Sequence, residues 1–349
     1  MFSLRRRSAK PRRFRVHYLL ESSGLFGGVK VVLAQAELLT ARGHEVTIVG
    51  REPAPDWYPL QSSFVRSDPL RRGDMPAPDV VVATFWTTIE PALRFGSPVV
   101  HYCQGYEGLH GRERSEQAEI ERVYARRLPA MVSSPHLGEL LRDRFGRPWR
   151  LVPPIVEEFW RPSPEPWDGR RAPRVLVVGT GELPLKGVET ALRAVGGLRA
   201  SGLECVLVRL SPTPPADIDG QVKVDEFHHR APPHQAARVF RGADLLLAPS
   251  HESEGFGLPV LEAMASGVPV VASDVSCFRG FAAEAAVLVP PHDVGAFVHA
   301  AGELLSDRSL WLRHREFGLS AAARFTAAAS AAIVEGALAW VVDGDWRED

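Results

Sequence analysis

Two glutamates and the glycines between them are the residues whose types and spacing suggest chemistry in this sequence. Glu254 and Glu262 are separated by seven residues in the run EGFGLPVLEAM. The glycines allow the backbone to turn tightly or to approach a ligand closely. A helix that begins near Pro259 would offer unpaired N–H groups and a positive dipole end, which favour a bound phosphate. Because phosphates avoid carboxylates, we expect the two glutamates to bind hydroxyl groups, as in a sugar and a ribose around a diphosphate.

The segments around this loop predict the elements that hold it. Leu245–Ala248 is an apolar run that ends at a Pro-Ser pair, as in a buried parallel strand. A helix is predicted from Pro259 to the Gly-Val-Pro sequence at residues 267–269, and a second strand at Val270–Ala272. The order of strand, loop, helix and strand therefore puts the glycine loop directly before a helix N-terminus.

The run from Glu254 to Met264 resembles the two-glutamate signature of retaining GT-B glycosyltransferases, specifically those of glycosyltransferase family 4. The resemblance continues through SGVPVVAS and the later segments FRG and AAVLVPPHD. It covers nearly the whole chain after residue 15. The fold that it implies is α/β, of the GT-B type, with two Rossmann-like domains that face each other across a cleft.

The same resemblance implies roles for the residues of the loop. Glu254 would hold the hydroxyl groups of the donor sugar and is one of two catalytic candidates. Glu262 would hold the ribose hydroxyl groups. The diphosphate and the sugar would be bound by the backbone of four consecutive residues, Gly255, Phe256, Gly257 and Leu258.

A second glycine loop is predicted between the first two strands of the chain. Residues 15–20 and 46–49 are predicted as strands, with Val29–Arg42 as the helix between them. This βαβ unit carries Gly27 and Gly28 at its switch point, a common ligand position in doubly wound sheets. The pair does not match the G-x-G-x-x-G dinucleotide fingerprint. It resembles the glycine loop that lies near the donor phosphates and the acceptor in the same family, so both glycines are predicted to bind the donor.

The second catalytic candidate is Gln104, which follows a strand predicted at residues 98–103. Many relatives have a histidine here that touches the donor sugar. This chain resembles a subset, the rhamnan and cell-wall polysaccharide transferases, that has Gln at this position and Tyr-Glu after it. Gln104 can donate and accept hydrogen bonds but cannot act as an acid or a base. A retaining mechanism tolerates that where no protein base is needed, and His101 is expected to be a strand residue rather than a catalyst.

The loop after the first strand of the second domain is expected to contact the leaving diphosphate. In the family this loop holds an arginine soon after its first glycine and a lysine before the next glycine. Lys186 matches the lysine, but Thr180 stands nearest the place of the arginine. A charge-assisted phosphate contact contributes on the order of 1.5–3 kcal/mol. Either another arginine substitutes, with Arg209 as the candidate, or the activity is weaker.

Five segments are predicted along the chain. A basic tail occupies residues 1–14, the first Rossmann-like domain residues 15–160 and a proline-rich linker residues 161–173. The nucleotide-sugar-binding domain follows at residues 174–320. The resemblance implies that a C-terminal helix within residues 321–349 crosses back to the first domain. The tail is interpreted either as a solvated segment or as a patch attracted to anionic lipid head groups.

Composition argues against several classes of function. The chain has 349 residues and a formal net charge of −1, which gives no general attraction to nucleic acid. Three widely spaced cysteines fit no metal-binding pattern, and no apolar run is long enough to span a membrane. The triplet Asp217-Ile218-Asp219 and the histidines His228, His229 and His234 are expected to be solvated, so no metal or other cofactor is predicted. A cytoplasmic location is expected, with a peripheral contact at the inner membrane surface if the basic tail binds lipid.

The function that the resemblance implies is transfer of a hexose or deoxyhexose from a nucleoside diphosphate sugar, with retention. The acceptor would be a hydroxyl group of a saccharide, a lipid-linked compound or a small molecule, in cell-surface polysaccharide or glycoconjugate synthesis. Two alternatives stay open. One is a non-catalytic sugar-nucleotide-binding subunit that has lost its phosphate arginine. The other is an oxidoreductase on a similar scaffold, against which the missing dinucleotide fingerprint argues.

Overall fold

The first domain is built around a parallel sheet whose central strands are buried, because helices cover both of its faces. The computed structural model describes residues 12–109, 114–220 and 222–348. The strands of this sheet are β1 (Arg15–Leu20), β2 (Glu45–Gly50), β3 (Ser63–Arg66), β4 (Val80–Ala83), β5 (Val99–Cys103), β6 (Ala130–Val132) and β7 (Trp149–Leu151). The helices between them are α1 (Gly27–Ala41), α2 (Trp86–Leu93), α3 (Arg114–Tyr124) and α4 (Pro135–Phe145). Within the described residues the strand order is β3-β2-β1-β4-β5-β6-β7.

The second domain repeats the same plan with a parallel sheet of its own. Its strands are β8 (Arg174–Val178), β9 (Val206–Ser211), β10 (Glu226–His229), β11 (Leu245–Ala248), β12 (Val270–Ser273) and β13 (Val287–Val289). The helices are α5 (Val188–Ala200), α6 (Pro233–Arg241), α7 (Leu258–Ala265), α8 (Ser276–Phe281), α9 (Val294–Ser306), α10 (Arg308–Ala322) and α11 (Ala327–Asp343). The strand order in the described chain is β10-β9-β8-β11-β12-β13. Both sheets are therefore doubly wound, as the sequence predicts.

Each sheet reverses its strand order at one place, between β1 and β4 in the first domain and between β8 and β11 in the second. Loops that leave the carboxyl ends of strands at such a point open a crevice where ligands bind. The loop after β1 leads to Gly27 and Gly28. The loops after β8 and β11 carry Lys186 and Glu254. The topology thus brings the residues singled out from the sequence to the two switch points.

Helix α11 packs in the core of the first domain although it follows the second domain in the sequence. Val334 and Leu338 are fully buried in the apolar cluster that includes β1 and β4. Where the chain first passes between the domains, the Val156 N–H donates to the carbonyl of Phe325 at 2.8 Å. The two passages between the domains therefore run side by side, and the last helix completes the first core.

Two strands lie where the sequence pattern does not predict them. β3 falls in the proline-rich segment 51–78 and, as a half-exposed edge strand, shows no regular apolar alternation. The valines at 222 and 224 predict a strand, but β10 begins at Glu226. Asp225 explains the shift, because its Oδ2 accepts a hydrogen bond from the backbone N–H of Leu207 at 2.9 Å. The two valines are partly buried and pack against the apolar cluster that includes residues of α5 and α9.

Replacing Leu338 by alanine is expected to lower the free energy of unfolding by about 2–5 kcal/mol, because it removes buried methyl groups from the first core. On the same helix, Ile333→Ala should cost less than about 1 kcal/mol, since Ile333 is 40% exposed. Urea unfolding followed by tryptophan fluorescence measures both. Equal effects of the two substitutions would contradict the packing of α11 in this core.

Candidate active site

A cavity of about 310 Å³ lies between the two domains, where the loops of both switch points meet. Nine of the ten site residues predicted from the sequence line it, namely Gly27, Gly28, Gln104, Lys186, Glu254, Phe256, Gly257, Leu258 and Glu262. The tenth, Gly255, lies directly against Gln104. Among the other residues in the wall are Lys30 and Trp160, which the sequence analysis did not single out.

Lys186 and Glu254 come together because β8 and β11 are neighbours in the sheet. Lys186 ends a single turn of 3-10 helix, and Gly187 after it has a left-handed φ of 60°. A side chain at Gly187 would also overlap the carbonyl of Pro249, so only glycine fits there. The Lys186 Nζ donates to Oε2 of Glu254 at 2.7 Å, and Glu254 is only 7% exposed. A bound anion would compete with Glu254 for this lysine.

Lys30 of the first domain reaches the carboxylate of Glu262 in the second. Its Nζ donates to Oε1 of Glu262 at 2.6 Å and lies 3.3 Å from Oε2 of Glu157. The ammonium group also sits 4.5 Å from the centre of a Trp160 ring, which favours a cation. Trp160 in turn donates from Nε1 to Glu157 at 3.1 Å. The result is a buried group of one cation and two carboxylates that joins the domains.

Burial and charge act in opposite directions on this group. Burial raises the pKa of Glu262 above the usual glutamate value, and the Lys30 ammonium opposes that rise. Burial tends to lower the pKa of Lys30, but the Glu262 and Glu157 carboxylates outweigh it and raise this pKa. Lys30 therefore stays charged, and it keeps Glu262 more easily ionised than burial alone would allow.

Two features of the sequence point to Lys30 as a site residue. The chain has only four lysines, and this one lies two positions after the glycine pair, in the first turn of α1. It lies on the face of α1 that the chain buries. A lysine on a buried helix face needs a partner. The partner could not be identified from the sequence, because Glu262 lies 232 positions further along.

The loop between the two glutamates has a backbone that glycine makes possible. Gly257 has a left-handed φ of 85° at the start of α7, and a side chain there would overlap the Phe278 ring. Phe256 is buried and stacks on Phe281 with ring centres 4.5 Å apart. Its ring therefore anchors the loop in the core, and its backbone is the part that a ligand can reach. The backbone role of the loop in donor binding stays a prediction.

Gln104 and the glycines of both loops meet across the cleft. The Gln104 Nε2 donates to the carbonyl of Gly28 at 3.1 Å. A side chain at Gly255 would overlap the carbonyl oxygen of Gln104, and the Ser134 hydroxyl donates to the carbonyl of Gly255 at 2.7 Å. The close approach requires glycine at 255. Gln104 thus lies at the contact between the first domain and the glutamate loop.

Two helix N-termini border the cavity. Gly27 and Gly28 begin α1, and Leu258 begins α7, and neither helix has a side-chain cap. The first N–H groups of a helix have no partner within the helix, and they attract anions together with the positive dipole end. The cavity therefore offers anion-binding backbone from both domains in addition to its two lysines.

Arg209, the candidate to substitute for the missing phosphate arginine, does not line the cavity. Its side chain is fully buried and donates to Asp219 at 2.6 Å and to the carbonyls of Val177 and Gly179 at 2.8 and 3.0 Å. These hydrogen bonds fix the end of β8 and the start of the loop that follows it. They also correct the expectation of a solvated Asp217-Ile218-Asp219 turn, because Asp219 is the buried partner of Arg209.

Other residues considered from the sequence lie away from the cavity. His101 is buried on β5 beside Arg147, and burial lowers its pKa well below the usual histidine value. In the described ranges, no group of three or more His, Cys, Asp or Glu side chains is arranged to hold a metal ion. No helix among the described residues is long and apolar enough to cross a membrane.

The predicted membrane contact of the basic tail cannot be compared with the fold, because residues 1–11 lie outside the described residues. Within the described part of that segment, Arg12 pairs with Asp343 of α11 at 2.6 Å. The predicted lipid contact and cytoplasmic location stay predictions.

Comparison with known structures defines the class of fold. The chain is similar to sucrose-phosphate synthase from Thermosynechococcus elongatus, with a TM-score of 0.76 at 20% identity over 92% of this chain and 98% of that one. It is also similar to Anabaena HepE in complex with UDP and glucose, with a TM-score of 0.76 at 12% identity over 94% of this chain and all of that one. The protein therefore has the predicted GT-B fold.

The second domain is similar in sequence to known glycosyltransferases. Residues 172–307 match the family of glycosyl transferases group 1. A D-inositol 3-phosphate glycosyltransferase from Nocardia farcinica is 36% identical over 48% of this chain. An MMP alpha-(1->4)-mannosyltransferase from Mycolicibacterium hassiacum is 32% identical over 54% of it. This chain spans 37% and 48% of those two proteins. Residues 172–307 are thus similar to group 1 glycosyltransferase domains, and membership of family 4 and of the rhamnan-type subset stays a prediction.

Replacing Lys30 by methionine leaves Glu262 buried without its partner and is expected to lower the free energy of unfolding by about 3 kcal/mol near pH 8. Burial already raises the pKa of Glu262, and loss of Lys30 raises it further, so the folded protein binds this proton more tightly than the unfolded chain does. The deficit is therefore largest above the raised pKa and shrinks as the pH falls toward the usual glutamate range.

Urea unfolding of the variant and the parent at several pH values measures this deficit. Lys223→Met is the matched control, because the Lys223 side chain is 84% exposed and its loss should cost less than about 0.5 kcal/mol. A Lys30→Met deficit that stays constant with pH would contradict the pairing of Lys30 with Glu262.

Proposed function

We propose that this chain transfers a sugar from a nucleoside diphosphate sugar to a hydroxyl group of an acceptor. The observation that carries the proposal is that Glu254 and Glu262 line the same interdomain cavity, with the start of α7 between them. Lysines from both domains line the same cavity. Carboxylates that can accept hydroxyl groups, on either side of an anion-binding loop, match the two ends of a nucleoside diphosphate sugar.

In this proposal Glu262 binds the ribose of the donor. Lys30 donates to Oε1 of Glu262 and favours the ionised carboxylate, whose remaining lone pairs can accept from the ribose hydroxyl groups. Because Lys30 belongs to the first domain, donor affinity depends on both domains even though the second supplies the carboxylate. Lys30 is thus a positioning residue for the donor.

In this proposal the diphosphate of the donor replaces Glu254 as the partner of Lys186. In the structure Lys186 is paired with Glu254 at 2.7 Å. A diphosphate bound at the start of α7 draws the Lys186 ammonium to itself and releases Glu254 to accept from the hydroxyl groups of the sugar. Lys186 and the N–H groups of the loop then stabilise the negative charge that develops on the leaving group. This supplies the required positive charge from the chain itself, which supports the proposal of a metal-independent transfer.

Retention of configuration fits the residue at the end of β5. Gln104 orients by hydrogen bonding and cannot take a proton from the acceptor. Its Nε2 is held by the carbonyl of Gly28, which fixes the amide at the border of the first domain. A front-face reaction, in which the leaving diphosphate itself accepts the proton, needs no protein base at this position. Gln104 therefore positions the sugar in this mechanism.

The names of similar proteins, and the compounds bound to them, indicate general classes of donor and acceptor. The names of the two relatives describe transfer to D-inositol 3-phosphate and of a mannosyl group, and the HepE structure contains UDP and glucose. For this chain we propose a nucleoside diphosphate hexose or deoxyhexose as donor. A saccharide, lipid-linked or small-molecule acceptor in polysaccharide or glycoconjugate synthesis completes the proposal.

A non-catalytic donor-binding subunit is the second candidate, and one observation favours it. The described residues that line the donor cavity include no arginine, so the leaving group has two lysines where the family pattern has an arginine and a lysine. Such a subunit would bind the donor without releasing nucleoside diphosphate. The turnover measurement below therefore separates the two candidates.

Thermal unfolding in the presence of different nucleoside diphosphate sugars tests donor binding. One nucleotide class should raise the melting temperature, because a ligand that binds only the folded state stabilises it. Glu262→Ala should abolish this rise, and Glu303→Ala, whose side chain is 61% exposed on α9, should retain it. Stabilisation by NAD in place of a sugar nucleotide would support an oxidoreductase and contradict the proposal.

Replacing Lys186 by methionine should lower the rate of nucleoside diphosphate release by about 10²–10³-fold, since one donor to the developing charge is lost. Donor binding, measured by the same thermal shift, should change much less. Lys223→Met, on an exposed side chain, serves as the control. A Lys186→Met protein with unchanged turnover would contradict the assigned role, and a parent protein that binds donor but never releases diphosphate would favour the non-catalytic subunit.

A further inference from the structure

A second and larger cavity, of about 1180 Å³, adjoins the donor cavity between the domains. The two cavities share Phe26, Gly28 and Gln104 in their walls. The larger one is lined mainly by the loops after β1, β4 and β5, and on the other side by Leu183 to Leu185 of the second domain. If the proposed function holds, the acceptor hydroxyl must reach the donor sugar past these shared residues, so the larger cavity holds the acceptor.

The wall of this acceptor cavity exposes apolar side chains to an unusual degree. Phe26 is 57% exposed, Leu109 is 49% exposed and Leu183 is 46% exposed. They are three of the four most exposed large apolar side chains in the described ranges of the chain. Exposed apolar groups gathered around one cavity mark a surface that a ligand or partner covers. A ligand whose hydrocarbon portion bridges both domains would cover all three, because Leu183 lies in the second domain.

The charged groups of the same wall are acidic. Glu21, Glu107 and Glu116 line the cavity, and none of its described lining residues is a lysine or an arginine. Glu21 is held by Arg51 at 3.0 Å, and Glu107 accepts a hydrogen bond from the Tyr124 hydroxyl at 2.5 Å. A phosphorylated acceptor would therefore find no lysine or arginine among the described lining residues to pair with its phosphate. The donor cavity, by contrast, has two lysines.

We propose that the acceptor is an uncharged hydroxyl compound that carries a hydrocarbon group, such as an alkyl or aryl glycoside, and is not a phosphorylated sugar or inositol. Its hydroxyl group lies at the rim formed by Gly28 and Gln104, next to the donor sugar. Its hydrocarbon group lies across Phe26, Leu109 and Leu183. This inference rests on the proposed glycosyl transfer and specifies the acceptor of that reaction.

Isothermal titration of the full chain with three matched series of ligands tests the proposal. The series are methyl glycosides, hexyl glycosides and 1-phosphates of glucose, galactose, mannose and rhamnose, each titrated with and without the nucleoside diphosphate that stabilises the protein. For at least one sugar, the hexyl glycoside should bind at least about tenfold more tightly than the methyl glycoside, because the added methylene groups leave water. The 1-phosphates should bind more weakly than the hexyl glycosides.

A double variant shows whether the gain arises in this cavity. Leu109→Ser combined with Leu183→Ser should remove most of the gain in affinity that the hexyl group gives over the methyl group. The thermal shift with nucleoside diphosphate should be kept. The matched control combines Leu93→Ser and Leu312→Ser, because these leucines are 39% and 37% exposed and lie outside the cavity wall. The control should retain the full gain.

The remaining outcomes overturn the inference. One such outcome is that none of the ligands binds, or that the hexyl group raises the affinity for none of the sugars. Another is that a 1-phosphate binds more tightly than the hexyl glycoside. A third is that both double variants lose the same amount of affinity for the hexyl glycoside. Failure of the proposed function itself is distinguishable, because it appears as the absence of any thermal shift with sugar nucleotides, before an acceptor is added.

Discussion

The buried ammonium group of Lys30 is the interaction on which the geometry of the site depends. It lies 2.6 Å from Glu262 and 3.3 Å from Glu157. Without it, two carboxylates would share a buried space, and each would carry a large desolvation cost. Because Lys30 and Glu262 belong to different domains, one ion pair joins the two sides of the cleft and orients the carboxylate that is proposed to bind the ribose.

The rest of the site follows from the placement of the two switch points opposite each other. Each sheet contributes loops that leave its carboxyl edge, and neither domain holds a complete site alone. The second domain contributes the glutamates and Lys186, whereas the first contributes Lys30, Gln104 and a helix N-terminus. The close approach of Gly255 to Gln104 leaves no room for a side chain between them. Position 255 therefore sets how near the two halves can come.

The sequence was sufficient to predict the glutamate loop, the glycine pair and Gln104, since each is a local pattern attached to a strand or a helix start. It could not identify the partner of Lys30, because that pairing depends on how two separately folded domains meet. The direction of the Arg209 side chain is also set by distant parts of the chain. A basic residue near a phosphate loop is a reasonable candidate from its position in the sequence. The direction in which its side chain points depends on its hydrogen bonds to Asp219 and to the carbonyl of Val177. The strand β10 was misplaced because the hydrogen bond of the Asp225 side chain to β9 outweighs the local pattern of valines.

The position of α11 affects the order in which this chain folds as it emerges from the ribosome. The strands of the first sheet end at Leu151, but the helix that fills their core ends only at Asp343. At synthesis rates of about 5–20 residues per second, that interval lasts on the order of 10–40 s. During it, the nascent first domain presents an open apolar groove while the second domain is completed. The apolar groove of the first domain therefore stays open for longer than in a protein whose domains close in the order of translation.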